Sequence, residues 1–236
     1  IAYRIAAALE KPVHWGDGLW TLHCYENEVF AAFVSKVESI KKETGLSDVV
    51  VTISSPRNFR KEINPLYKAN RKSTRKPLCF GPLLEFIKEE FNHVILDRLE
   101  ADDTMGILAT QEPDRYLIVS DDKDMVTIPD ARIWKDGAIL HITPEEAYEN
   151  FITQALKGDP TDGYYGCKGI GEVTARKIID KHRGTPESLW EGVVKAYKGD
   201  AEDALLNARM ARILTSELYD DAPILWNPPI IDKEVA

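Results

Sequence analysis

The sequence predicts an α/β fold, on three observations. Short β-branched apolar runs alternate with amphipathic helical patterns over residues 1–119; acidic clusters follow two of those runs; and from Thr143 onward the pattern is continuously helical. Residues 1–9 read as a short helix and residues 26–43 as a longer amphipathic one. Asp48 to Ile53 is the first strand, β-branched enough for a buried parallel sheet. Leu83 to Phe91 reads as helix, His93 to Leu96 as strand, Asp102 to Gln111 as helix and Tyr116 to Val119 as strand. Short strands follow at Arg132 to Trp134 and Ala138 to His141. Thr143-Pro144-Glu145-Glu146 carries a capping residue, proline at the first helical position and acids in the first turn. Helix is expected from there to about Tyr219, with the tail Asn227-Pro228-Pro229 running over the surface. The expected architecture is a mostly parallel central sheet flanked by helices.

The 236 residues carry 39 acidic against 30 basic side chains, a formal charge of −9. A protein coated uniformly by nucleic acid would be basic. The balance is compatible with nucleic acid only if the acids gather where cations neutralise them and the bases gather elsewhere. Cys24, Cys79 and Cys167 have no Cys-x-x-Cys spacing, which excludes a zinc motif and a disulfide framework and fits a reducing cytosol. There is no secretory apolar region and no run long enough to cross a bilayer, so a soluble protein is expected. The chain begins at Ile1 rather than Met, which suggests that an upstream piece is missing.

The acids do gather. Glu100, Asp102 and Asp103 follow the strand ending at Leu96, and Asp122 and Asp124 follow the strand ending at Val119. Ligands of open α/β sheets bind at the carboxyl ends of strands. Asp159 and Asp162, three apart, would lie on one side of a helical turn and join them. So many carboxylates stay ionised together only with cations, and oxygen-only ligands favour Mg²⁺ or Mn²⁺ over zinc. Lys168-Gly169-Ile170-Gly171 then opens a helix in a form suited to offering backbone N–H groups to phosphate. The bases gather between Arg57 and Lys76, where eight face one acid, Glu62, with Phe59 and Tyr67 interleaved. An α/β crossover does not need such an insertion, so it reads as a substrate-binding arch. Its few apolar residues predict a segment that orders only over bound DNA. His14, Trp15, Trp20, His23 and Cys24 match no zinc spacing and read as a Trp-packed loop; Met105 and Met125 read as core.

Asn58-Phe59-Arg60-Lys61-Glu62, Tyr67-Lys68-Ala69-Asn70-Arg71, Leu99 to Asp103, Asp122-Lys123-Asp124, and Gly158-Asp159 through Asp162 to Gly169-Ile170-Gly171 occur in one order. Together they resemble the 5′-nucleases of the flap-endonuclease superfamily, most closely the stand-alone 5′→3′ exonucleases of podophages. The resemblance implies a PIN-like 5′-nuclease fold with a basic helical arch and a helix–three-turn–helix that binds duplex backbone. It implies a catalytic core at 1–142 with the arch at 55–80, and a helical region at 143–236 with the helix–three-turn–helix at 158–183, packed as one unit. It implies two Mg²⁺ or Mn²⁺ ions, a first held by Glu100 and Asp102 and a second by Asp122, Asp124 and Asp159, with Asp103 and Asp162 as additional ligands, and a K⁺ ion at the hairpin carbonyls. Lys68, Arg71 and Arg4 become catalytic candidates. Tyr3, Arg57, Arg60, Lys61, Tyr67, Lys72, Arg75, Lys168, Gly169, Gly171, Lys177 and Lys181 become candidates for DNA binding.

The implied activity is metal-dependent 5′→3′ exonuclease or flap-endonuclease cleavage of DNA with 5′ ends, flaps or junctions, with RNA in hybrids as a further substrate, by a cytoplasmic monomer in an infected host. Two family carboxylates lack counterparts: an Asp on a strand preceding Ile1, and one at Ser55. The missing acid at Ser55 makes a catalytically weakened branched-DNA-binding protein of the same fold the alternative reading, and an RNA-cleaving PIN-type nuclease is a third.

Overall fold

The computed structural model describes residues 1–230. In chain order the elements are α1 (Ala2–Ala8), β1 (Lys11–His14), β2 (Trp20–His23), α2 (Glu26–Thr44), β3 (Val51–Thr52), α3 (Phe59–Ile63), α4 (Phe80–Glu90), β4 (His93–Val94), α5 (Ala101–Gln111), β5 (Ile118–Val119), β6 (Arg132–Lys135), β7 (Ala138–His141), α6 (Pro144–Lys157), α7 (Glu172–His182), α8 (Pro186–Ala196) and α9 (Ala201–Ala211). They form two compact units, one of residues 1–53 with 74–95 and the other of residues 54–73 with the chain from 96 onward.

In the first unit, α2 buries Val29, Phe33, Val37 and Ile40, spaced four, four and three apart along one stripe. Val29, Phe33 and Val37 share a core with Ala6 of α1, Ile53, and Leu83 and Ile87 of α4. Strands β3 and β4 pair in parallel, Val51 opposite His93 and Thr52 opposite Val94. The segment read as a Trp-packed loop is instead an antiparallel hairpin, β1 with β2, whose Trp15 and Trp20 stay exposed. Its signal was present in Gly16-Asp17-Gly18, whose residues all adopt positive φ at the turn.

In the second unit β5 pairs in parallel with β6, which pairs antiparallel with β7. The parallel pairs match expectation, yet among the described residues the strands form three small sheets. Each parallel ladder is only two residue pairs long. Helices α6, α7, α8 and α9 close over Phe151, Ile152, Leu156, Ala175, Ile179, Val193, Ala204 and Ala208. Trp226 packs edge-on against Phe151 and Trp190, and Arg209 Nε donates to its carbonyl at 3.0 Å, so the start of the Pro-rich tail lies on the helical core. The last six residues of the expected helical region lie outside the described residues.

One buried ion pair ties the segments of this unit together. Arg60, on α3, donates from Nη1 and Nη2 to the two carboxylate oxygens of Asp103 on α5, each at 2.7 Å. Its remaining donors reach the carbonyls of Met210 at 3.1 Å and Arg212 at 2.6 Å, at the end of α9. Asp103 in turn accepts from the backbone N–H groups of Leu214 at 3.1 Å and Glu100 at 3.2 Å. Both side chains are almost fully buried, so every donor and acceptor needs these partners. Asp103→Leu, which strands the guanidinium, is expected to cost about 3–5 kcal/mol in urea denaturation, and Arg60→Met on top of it to restore part of that loss.

Candidate active site

Chain geometry around α5 explains why the acids meet. Glu100 is the N-cap of α5, held in a reciprocal capping box with Asp103, so its carboxylate sits at the positive end of the helix dipole. Asp102 follows in the first turn. Asp122 caps a 3₁₀ turn at Lys123–Thr127, accepting from Asp124 N–H at 2.9 Å. Asp124 is held from α6, where Gln154 Nε2 donates to its Oδ1 at 2.7 Å. The chain between α6 and α7 makes hydrogen-bonded turns at Asp159–Asp162, Pro160–Gly163 and Cys167–Ile170, with Asp159 and Tyr164 bridged as in a hairpin. Asp159 and Asp162 thus flank a β-turn rather than a helical one. Gly158 and Gly166 face each other so closely there that a Cβ on either would lie 2.3 Å from the other's backbone nitrogen.

The result is a polar cavity of about 150 Å³ lined by Glu100, Asp102, Asp122, Asp124 and Asp162, with Lys68, Arg71 and Tyr164 among its walls. Burial, then the charges of Asp122 and Glu100, push Asp102 up to about 7. Burial and Asp122 likewise push Asp124 up to about 6. Glu100 goes the other way: burial raises it, but the charges of Lys68 and Arg60 outweigh that and hold it down at about 2. Lys68 Nζ lies 2.5 Å from Glu100 Oε1 and 3.6 Å from Asp162, and Arg71 pairs with Asp162. Lys123 reaches Asp159 at 3.2 Å; burial raises this carboxylate, and Thr161 and Lys123 bring it net below its usual range.

Other expected site residues are engaged differently, although Asp103, Arg60 and Tyr67 also contribute to the cavity wall. Asp103 is spent on Arg60 and on backbone amides, with side chain fully buried, so it serves as a structural counter-ion rather than a metal ligand in this arrangement. Arg60 and Tyr67 are buried rather than offered to DNA; the Tyr67 hydroxyl donates to Glu100 Oε2 at 2.8 Å. Arg57 pairs with Asp97, while Lys61 and Lys72 are exposed. Asp159 does not line the cavity itself. The basic segment is also fastened: Phe59 and Tyr67 are core, Lys68 N–H donates to the Asp162 carbonyl at 2.7 Å and Asn70 to that of Thr161 at 3.2 Å. Scarcity of burying side chains therefore does not hold for residues 57–71. Tyr3, Arg4 and Arg75 belong to the first unit, where Tyr3 meets Phe80 edge-on and Arg75 grips Glu10 with both terminal nitrogens. Lys168, Gly169 and Gly171 are exposed at the start of α7, which has no side-chain cap, and Lys177 and Lys181 are exposed further along it, Lys181 in its last turn.

Ser55, where the resembled family has an acid, caps a turn, its hydroxyl accepting from Arg98 N–H at 3.2 Å and Arg57 N–H at 3.3 Å. Ser54 beside it accepts from Ala101 N–H at 3.0 Å at the start of α5. Sequence reasoning missed Gln154 and Lys123. The signal for Gln154 was an amide set between buried Phe151 and Leu156, and for Lys123 a lone cation between two aspartates.

An all-oxygen donor set with two carboxylates raised by burial and by like charge has the chemistry of a site for a hard divalent cation. In the rotamers present, Lys68, Arg71, Lys123 and Gln154 hold individual carboxylates, and no three acids, His or Cys among the described residues gather round one point. A folded-state carboxylate raised above its unfolded value stabilises the fold below the unfolded pKa and loses that contribution as pH rises through the folded one. In chelator, the protein is therefore expected to melt at lower temperature as pH rises from 4 to 7, through the shifted values of Asp102 and Asp124. Asp102→Asn should flatten that dependence in thermal denaturation.

Comparison with known proteins agrees with the architecture. Residues 1–152 match the family model of the 5′-3′ exonuclease N-terminal resolvase-like domain. The chain is 30% identical to the exodeoxyribonuclease of Enterobacteria phage T3, covering 97% of this chain and 90% of that protein. Identity to the exonuclease of Escherichia phage T7 is also 30%, covering 97% and 91%. Among solved structures, the T5 D15 protein co-crystallized with metal ions superposes with TM-score 0.64 at 18% identity, over 79% of this chain and 84% of that one. The catalytic core of Rad2 in complex with DNA substrate gives 0.52 at 13% identity, over 96% and 89%. The two structural likenesses show the fold; the sequence matches go further, and by them the chain belongs to the 5′→3′ exonuclease family.

Proposed function

We propose that this nuclease hydrolyses phosphodiester bonds at 5′ ends, flaps and single-strand/duplex junctions of DNA, using two divalent cations, Mg²⁺ or Mn²⁺, at the carboxylate cavity. The observation that carries the reading is the meeting of Glu100, Asp102, Asp122, Asp124 and Asp162 beside Lys68 and Arg71 in one cavity. Glu100 and Asp102 would hold one ion, and Asp122, Asp124 and Asp159, with Asp162, the other. Bound cations would supply Lewis-acid chemistry, making a nucleophile of water and stabilising the departing oxygen. Support also comes from the T5 D15 structures, one with metal ions and one a pseudo-enzyme-product complex with DNA and metal ions.

This chain's own residues do the rest. Lys68 and Arg71, paired with Glu100 and Asp162, stand where they can turn to a phosphate and neutralise charge building on it. Tyr3 and Arg4 are proposed to hold the terminal nucleotides, and Arg57, Lys61, Lys72 and Arg75 to follow the strand. Gly169 and Gly171 let the backbone approach duplex phosphate at the uncapped start of α7, with Lys168, Lys177 and Lys181 adding charge. An RNA strand in a hybrid, a K⁺ ion at the hairpin and action as a cytoplasmic monomer complete the proposal. No helix among the described residues is long and apolar enough to cross a membrane.

Asp122→Asn and Asp159→Asn are each expected to abolish cleavage of 5′-labelled flap and duplex DNA while leaving binding in EDTA largely intact; full cleavage by either at saturating Mg²⁺ would refute the two-ion assignment. Retained binding by a wild type that cleaves nothing would favour the binding-protein alternative. Replacing Lys168 and Lys177 together by Ala is expected to weaken binding equally on unrelated sequences. It should also lower the salt slope by roughly 1 to 2 units, at about 0.9 per phosphate contact.

A further inference from the structure

Gln154 sits on α6 and is 8% exposed, in a stretch whose neighbours Phe151, Ile152, Ala155 and Leu156 are all core. Its Nε2 donates to Asp124 Oδ1 at 2.7 Å. That bond assigns the amide, since the carboxylate can only accept while ionised. The other end of the amide, Oε1, is buried and has no hydrogen-bond partner among the described residues. An apolar side chain would fill the same space without leaving a buried acceptor unmet, so stability alone does not account for an amide here. Because one planar amide carries both atoms, Oε1 is confined to the immediate surroundings of the Asp124 carboxylate. There Asp124 lines the cavity together with Asp102, Asp122 and Asp162, a place suited to a cation and its waters.

We propose that Gln154 is a positioning residue of the carboxylate site: its nitrogen fixes the Asp124 carboxylate, and its buried oxygen accepts a hydrogen from an internal water beside that carboxylate. The inference rests on the two-cation reading and adds to it a residue that touches neither substrate nor cation. Partners of this kind orient ligands through hydrogen bonds, and their loss weakens metal affinity about 10- to 100-fold. Gln154 is suited to the task because the amide offers a donor to the acid and an acceptor to water while adding no charge to a crowded cluster.

The test is calorimetric titration of the DNA-free protein with Mn²⁺, beside thermal melting, for wild type, Gln154→Leu, Gln154→Met and Asp124→Asn. Gln154→Leu is expected to melt close to wild type, since the unmet acceptor and the bond to Asp124 are lost together, and to bind Mn²⁺ about 10- to 100-fold more weakly. Gln154→Met provides the same comparison should the Leu variant fail to fold. Unchanged Mn²⁺ affinity in the folded Gln154 variants, with Asp124→Asn clearly weakened, would overturn this inference and leave the two-cation reading standing. If the wild type itself binds no Mn²⁺, both fall together.

Discussion

The second unit depends on the pairing of Arg60 with Asp103. A guanidinium and a carboxylate buried together must satisfy one another completely, and here they also take in the carbonyls of Met210 and Arg212 and the amides of Leu214 and Glu100. One interaction therefore joins the basic segment, the start of α5 and the end of α9. Because Glu100 caps the same helix whose third residue is Asp103, the pair also sets where the site's first carboxylate stands. Tyr67 and Lys68, a turn beyond α3, then reach Glu100 from the other side. The chemistry of the cavity rests on an ion pair whose members are spent on each other, with Arg60 adding its charge beside Glu100.

A simple rule separates the four shifted carboxylates of the site: burial raises them all, a paired cation holds two of them down, and like charge pushes the other two further up. Glu100 has Lys68 and Arg60, and Asp159 has Lys123; Asp102 and Asp124 face like charges and rise. The same rule resolves the net charge of −9 in a protein of nucleic-acid chemistry. The acidic excess is partly internal, and basic side chains at the cavity stand poised between carboxylate and phosphate.

Much of this was legible in the chain. Helices α1, α2, α5 and α6 follow their apolar periodicity and caps within a few residues, and the parallel pairs β3–β4 and β5–β6 lie on the expected β-branched runs. Glu100, Asp102, Asp122 and Asp124 were legible as acids following two apolar runs, and they line one cavity although those runs lie in different small sheets. The β1–β2 hairpin was missed because a Trp-rich composition was weighed above the Gly-Asp-Gly turn. The fastening of the basic segment was missed because counting apolar residues ignores a buried, fully paired arginine.

By itself, then, the sequence determined the elements, their order and the class of chemistry. These depend on local periodicity, on capping and turn residues, and on which residue types lie near in the chain. Only tertiary structure decided the roles within the carboxylate set. Asp102 and Asp103 are adjacent in sequence, yet one faces like charges in the cavity and the other a buried arginine 43 positions upstream. Helical geometry turns neighbouring side chains about 100° apart, so the partner each one meets is set by segments remote in the chain.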